Sequence, residues 1–503
     1  MADSARGVQS LKLGSAVQVL PLVAGYGVQI ATTPYVLTRL GLHDFGIWSV
    51  TGAIAQYGAM FDLGVSRAAG RYVALFHAKS DAKSEGRVVA ICVITLLALW
   101  ALLSGLVVST APVISSVFRL GSPTVARYLL LSAVAILIVG LLARVLAAAS
   151  IGSGRVVPTT VGIAVLSVLQ AAGGVVALIF DDSLTAFAYG TLAGASCGLI
   201  IVAVIKLVDE RRIVFAMPTL SLTRELFAYG IPSQISAVGD MLLLQSGKII
   251  AGAMLGPAAA GIYELANRLA TGAQVLGTAS AHTLTPHLTR IFVEGGKDSV
   301  VAQYEHLTQR NTSVALIFPF VMGASAASAI PLWLNSANDR VVIVLLALLS
   351  GIAVNLSTAV CSYTLLALGR PTVIAFVTVV GGSFQTITAV AATHFWGFAG
   401  LAASLSIGIP VVKLLGLWYM QSSSDIPLKL YTRGVAGPFA VALLATIAAL
   451  PPNLIATLTS RQSAVVPFTT SIVVFSSIYL FLSWRRGYLP ELSLRPDRLK
   501  ENR

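Results

Sequence analysis

A chain of 503 residues that is 56% hydrophobic and only 11% charged is not a soluble globular protein, which carries about 25% charged residues. With a mean hydropathy of +0.86 and recurrent uncharged windows of about 20 residues, most of its surface must face lipid. The formal net charge of +13 does not make it a nucleic-acid binder, because the cations sit in short connections between apolar runs, where membrane topology alone places them.

In chain order the apolar runs predict about fourteen membrane-spanning helices, at approximately 11–38, 46–72, 88–110, 128–150, 156–180, 184–207, 226–255, 260–285, 312–334, 341–367, 371–394, 397–420, 435–458 and 464–484. The stretch from Leu13 to Leu37 is too long for the apolar part of a signal peptide and lacks a convincing cleavage site, so it reads as a retained helix. No strand alternation, low-complexity tract or soluble domain interrupts the series. The expected fold is an all-α integral membrane protein. Cys92, Cys197 and Cys361 lie inside apolar runs and offer neither a disulfide framework nor a metal spacing.

An even number of spans puts both termini on one side. Arg71, Lys79, Lys83, Arg87, Arg211, Arg212, Arg224, Arg290, Lys297, Arg310 and the tail "RRGYLPELSLRPDRLKENR" share one class of connection. The other class holds few cations, among them Arg39, Arg119, Arg127, Arg340 and Arg461. Positive charge stays inside, so both termini are expected in the cytoplasm, with the basic tail against anionic headgroups.

One pattern occurs twice. "LGLHDFGIW" (40–48) returns as "LGPAAAGIY" (255–263), 215 residues later, and the same offset relates Gly154-Arg155 to Gly369-Arg370 and Gln170 to Gln385. The repeat unit holds six helices: an N-lobe over 1–213, then a C-lobe over 214–425 that opens with the polar linker in "VDERRIVFAMPTLSLTRE". Residues 426–503 add two helices and the basic tail. Six is even, so the copies run parallel, related by an axis along the membrane normal. Rocking of two such lobes would expose the cleft between them to either side in turn.

"TPYVLTRLGLHDFGIWSVTGAIAQYGAMFDLGVSRAAGRYVA" resembles the first two helices of bacterial polysaccharide flippases. These form the polysaccharide-transporter branch of the multidrug/oligosaccharidyl-lipid/polysaccharide (MOP, MATE-like) exporter superfamily. "LGPAAAGIYELANRLA", followed by "TLTPHLTRIFVEGGKDSV", resembles the matching hairpin of the second half. The resemblance covers the first twelve helices, and an extra C-terminal pair is common in that branch. It implies a multi-pass protein of the bacterial plasma membrane that moves a polyprenyl-pyrophosphate-linked glycan outward by alternating access. Glycan polymerase or assembly enzymes would be its protein partners. No cofactor is implied, and H+ or Na+ counter-flow is the coupling open to it.

Ionisable residues within spans are costly and mark function by default. Asp62 lies deep on the second helix, about 24 Å from the turn near Gly46, and Arg67 and Arg71 follow on one face, one helical turn apart. Two guanidinium forks suit a pyrophosphate; anchoring at the interface is the competing reading, the stronger one for Arg71. On the seventh helix Asp240, Gln245 and Lys248 fall within an arc of roughly 140°. Asp240 and Lys248 are about 12 Å apart and cannot pair directly. On the eighth, Glu264 and Arg268 have the spacing of a local salt bridge, with Asn267 beside them. The substrate-binding candidates are therefore Arg67, Arg71, Lys248, Arg268, Gln245 and Asn267, with Asp62, Asp240 and Glu264 tuning the cations or taking up a coupling ion. Snorkelling accounts for Arg144 and Lys413.

Enzyme motifs are nearly absent. "GASCG" (194–198) has the form of a nucleophile elbow, but within the apolar "GTLAGASCG" it reads as small-residue helix packing. His282 and His287 have a poor metal spacing, and no nucleotide-binding loop is present. A cation-coupled multidrug exporter of the same superfamily is the alternative. It is disfavoured by the lack of Asp or Glu from Leu13 to Thr38. A membrane glycosyltransferase or polymerase would need a large extramembrane loop.

Overall fold

In a computed structural model the chain is described over residues 2–62, 64–210, 216–278, 281, 284–455 and 460–488. Arg211, Arg212, His282 and the tail beyond Tyr488 lie outside the described residues. In chain order the helices are α1 (Ala2–Gly58), α2 (Val65–Ala78), α3 (Ala82–Phe118), α4 (Pro123–Gly152), α5 (Val156–Phe180), α6 (Leu184–Glu210), α7 (Leu220–Ile250), α8 (Pro257–Thr278), α9 (Leu284–Ala315), α10 (Ile317–Leu334), α11 (Asp339–Ser357), α12 (Ala359–Ala367), α13 (Pro371–Ala403), α14 (Ile409–Ser422), α15 (Leu428–Ala449), α16 (Pro451–Ile455) and α17 (Arg461–Arg485). Among the described residues there is no strand.

Among the described residues nine runs are long and apolar enough to cross a membrane, ten if the bent pair Ala237–Leu243 and Gln245–Leu255 is one span, against the fourteen expected. Part of the difference lies in bends. The 52-residue run Pro371–Ser422 is counted once, yet it turns at Gly397 into two arms of about 38 Å each, either of which exceeds a ~30 Å hydrocarbon core.

The breaks keep the 215-residue offset. Gly41 (φ 73°, ψ 170°) interrupts α1, and Gly256 (φ 97°, ψ 172°) separates α7 from α8. Both are left-handed or beyond, backbone that only glycine adopts without strain. The break between α4 and α5 at Gly154 (φ 87°) returns at Gly369 (φ 71°) before α13. The bounds of α4 likewise return in α11 and α12 together, which cover Asp339–Ala367.

The chain divides into two compact units, Met1–Gly272 with Ala375–Ile409, and Ala273–Ile374 with Pro410–Arg503. In the first, Val65, Ala69, Tyr72 and Val73 of α2 pack with Val88, Leu96 and Leu103 of α3, Leu130 and Val145 of α4, and Leu226 of α7. The small-residue stripe of α6 does what its spacing predicts. A Cβ on Gly190 would stand 2.4 Å from the Gly173 carbonyl oxygen, and one on Gly194 2.0 Å from that of Leu169, so α5 and α6 meet backbone to backbone. In the second unit, Phe475 and Tyr479 stack at 5.5 Å, Tyr479 donates to the Ser313 carbonyl, and Asn453 donates to the Ala324 carbonyl and to Ser471, both at 2.8 Å.

Candidate functional site

The first unit contains a buried ion cluster built from three helices. Lys248, near the end of α7, places Nζ 2.5 Å from Oε2 of Glu264 on α8. Arg268, one turn further along α8, donates from Nε to Oε1 of the same carboxylate at 3.0 Å. Its Nη1 reaches α1, donating to the Thr33 hydroxyl at 2.6 Å and to the Gln29 carbonyl at 3.4 Å. The guanidinium also lies 5.0 Å from the centre of the Phe45 ring. Lys248 and Glu264 are 8% and 9% exposed, so these charges are almost fully withdrawn from solvent. Two cations share one carboxylate. With all three groups charged, the cluster keeps one positive charge.

The other candidates are dispersed. Gln245 is half-buried on α7, and its Oε1 is buried without a partner among the described residues. Asn267 accepts from the Thr271 hydroxyl at 3.5 Å. Asp240 is exposed on α7, eight residues from Lys248. Lys413 is half-buried on α14.

Asp62 stands where the predicted second helix breaks. A short 3-10 turn, Ala59–Asp62, and Gly64 in the left-handed region separate α1 from α2. The Asp62 carboxylate accepts from the Gly64 N–H at 2.8 Å, from the Ser66 hydroxyl at 3.4 Å, and from Gln234 Nε2 of α7. It fixes the turn that precedes α2, whose N-cap, Gly64, has no side-chain cap of its own. Gly64 is pressed against the Gly230 backbone of α7, so that no side chain would fit there. Arg67 and Arg71 are both exposed on α2, and the Arg71 guanidinium lies 4.3 Å from the centre of the Tyr229 ring. That is the geometry of an arginine held on an aromatic face, and it strengthens the anchoring reading for Arg71.

A cavity of about 400 Å³ opens in the same unit among α1, α4 and α5. Its polar lining comes from Tyr26, Gln29, Gln56, Arg144, Ser167 and Gln170; Trp48 adds an indole, and no lining residue is acidic. Gln29 joins it to the ion cluster, since its backbone carbonyl accepts from Arg268. Arg144, for which the sequence suggests snorkelling, instead lines this polar cavity. Among the described residues no group of three or more His, Cys, Asp or Glu side chains could hold a metal ion.

A sequence profile of the family described as "Polysaccharide biosynthesis protein" matches residues 13–292, more than half of the chain. The chain belongs to that family. No curated protein matches the chain in sequence, but its fold recurs in solved transporters. The lipid II flippase MurJ in an inward closed conformation superposes with a TM-score of 0.64 at 11% identity, covering 94% of this chain and 99% of the other. An inward-facing multidrug resistance MATE transporter of the MOP superfamily gives 0.59 at 15% identity, covering 81% and 94%. A MOP superfamily transporter from Pyrococcus furiosus gives 0.55 at 15%, covering 82% and 95%. Identities this low establish fold and no more. The chain is a multi-pass membrane protein with the helical fold of the MATE and MurJ transporters.

Pattern reading missed Gln29, Gln56, Gln170 and Arg144 as a group. Arg144 and Gln170 stand out singly, by charge and by the repeat, but their meeting with Gln29 and Gln56 depends on how α1, α4 and α5 pack; the available signal is that carboxamides within apolar spans also need partners.

Proposed function

We propose that this protein carries a polyprenyl-pyrophosphate-linked glycan across the bacterial plasma membrane, from the cytoplasmic to the outer face, by alternating access of its two halves. The observation that carries the proposal is the charge balance of the buried cluster, Lys248 and Arg268 against Glu264, beside a cavity whose lining holds Arg144 and no acid. Such an interior attracts an anionic, hydroxyl-rich headgroup and repels a cation. Glu264 is the shared partner, so its state sets how open Lys248 and Arg268 are to phosphate, and it is the acid through which H+ or Na+ would act. Outward passage of about two negative charges through an inside-negative potential is favourable by roughly 4–5 kcal/mol per 100 mV. The polysaccharide biosynthesis family and the MurJ-like fold support this reading.

The test is transfer of a lipid-linked oligosaccharide headgroup across vesicles holding the purified protein. Wild type should transfer, and Lys248→Ala, Arg268→Ala and Arg144→Ala should each slow it. Wild-type rates in all three would reject the site. The MATE likeness favours a second reading, cation-coupled export of drugs. A deletion strain that becomes drug-sensitive with its surface glycan intact would establish that reading in place of the first.

A further inference from the structure

We infer that the cavity among α1, α4 and α5 is a binding site for a single sugar unit bearing an anionic group. The inference rests on the glycan-transport reading and specifies what part of the substrate this cavity takes. Its volume of about 400 Å³ is that of a small-molecule site, which spans roughly 300–1,000 Å³. Its lining is selective. Gln29, Gln56 and Gln170 each bring two donors and one acceptor, in a region where apolar side chains would cost nothing to place. A sugar hydroxyl both donates and accepts, so a ring of hydroxyls matches carboxamides and leaves neither side unmet. An apolar drug would displace water from Gln29 and Gln56, which are exposed, and from half-buried Gln170, and would replace none of their hydrogen bonds.

Arg144 adds the second element. Its guanidinium presents five donors and no acceptor. None of the residues lining the cavity is a carboxylate; the acid within electrostatic reach, Asp62, lies outside the lining and already bonds Gly64, Ser66 and Gln234. The complement is an anion attached to the sugar. A bare inorganic anion would satisfy Arg144 and leave the carboxamides unused; a neutral sugar would do the reverse. Trp48 offers an indole to the apolar face of the ring, and Phe187 holds it edge-on at 5.4 Å between centroids. The anion has two possible sources of the same chemistry, the phosphate on the first sugar of a lipid-linked glycan or the carboxylate of an acidic sugar.

Calorimetric titration of the purified full-length protein with a hexose 1-phosphate, a hexuronate and a neutral hexose separates these sources. At least one anionic probe should bind saturably, and the tighter of the two identifies the source. Arg144→Gln should weaken that probe about tenfold or more, the loss of one charge-assisted hydrogen bond, while Arg144→Lys retains part of the affinity. Gln56→Ala should weaken anionic and neutral probes alike. Each variant must elute and melt as wild type does. The inference fails if neither anionic probe binds wild type, or if Arg144→Gln binds them unchanged. Absence of probe binding with vesicle transfer intact overturns this inference alone; probe binding without transfer overturns the transport reading instead.

Discussion

At the scale of single residues, Glu264 organises more than any other side chain described. It bonds two cations from two helices, and nothing else acidic stands at ion-pair distance from either among the described residues. Removing its charge leaves Lys248 and Arg268 buried and facing one another, and breaking a buried pair from one side costs about 3–5 kcal/mol. Glu264→Gln is therefore expected to lower the thermal unfolding midpoint in detergent markedly. Adding Lys248→Met to Glu264→Gln should restore much of that loss, since an apolar side chain tolerates the site that a lone ammonium does not. A Glu264→Gln protein that melts with wild type would show the cluster to be hydrated. The Glu264–Arg268 half of the cluster was legible from four-residue spacing on one helix. The Lys248 half was not, because it depends on how α7 lies against α8, which no local pattern encodes. The repeat sharpens the point. The positions 215 residues before Lys248, Glu264 and Arg268 are Thr33, Ser49 and Ala53, so at these three positions only the second copy is charged, and Arg268 bonds Thr33, the first-copy counterpart of Lys248.

At the scale of elements, the duplicated turn has a packing reason. A Cβ on Gly46 would lie 1.9 Å from the Pro257 carbonyl oxygen, and one on Gly261 2.7 Å from that of Leu42. Gly46 and Gly261 are equivalent in the two copies, as are Leu42 and Pro257. Each copy's glycine thus receives the other copy's backbone, and α1 crosses α8 with no side chain between them. Gly46→Ala and Gly261→Ala must push these helices apart and should each lower the unfolding midpoint. Gly105→Ala on α3, where a Cβ meets nothing within 4 Å, removes a flexible residue from a helix and should leave the midpoint unchanged or raise it, with a gain in stability of about 0.5–1 kcal/mol at most. Equal midpoints for the three would mean that the crossing is loose. The repeat and the positions of its turns could be read from the sequence because glycine is the residue that such backbone angles require. The break at Ala59–Asp62 could not, since the apolar run continues across it and only the placement of Gly64 against α7 shows why the helix stops.

At the scale of the whole molecule, the direction of transport depends on which connections face the cytoplasm. Lys79 lies in the connection between α2 and α3 and Lys83 in the first turn of α3, whereas Asp181 and Asp182 occupy the connection between α5 and α6. Cations concentrate on the cytoplasmic side of membrane proteins. This assigns Ser80 to the interior and Gly121 and Asp182 to the exterior, all three exposed at helix ends. The assignment can be measured in a background in which Cys92, Cys197 and Cys361 have been replaced. In intact cells a membrane-impermeant thiol reagent should modify Gly121→Cys and Asp182→Cys, and it should reach Ser80→Cys only after permeabilisation. Each single-cysteine protein must first be shown to accumulate in the membrane as the parent does. Labelling of Ser80→Cys from outside would invert the molecule. The inside-negative potential would then oppose, rather than favour, delivery of an anionic headgroup from the side that reaches Arg144 and the Glu264 cluster first, and outward glycan transport would lose its electrical support.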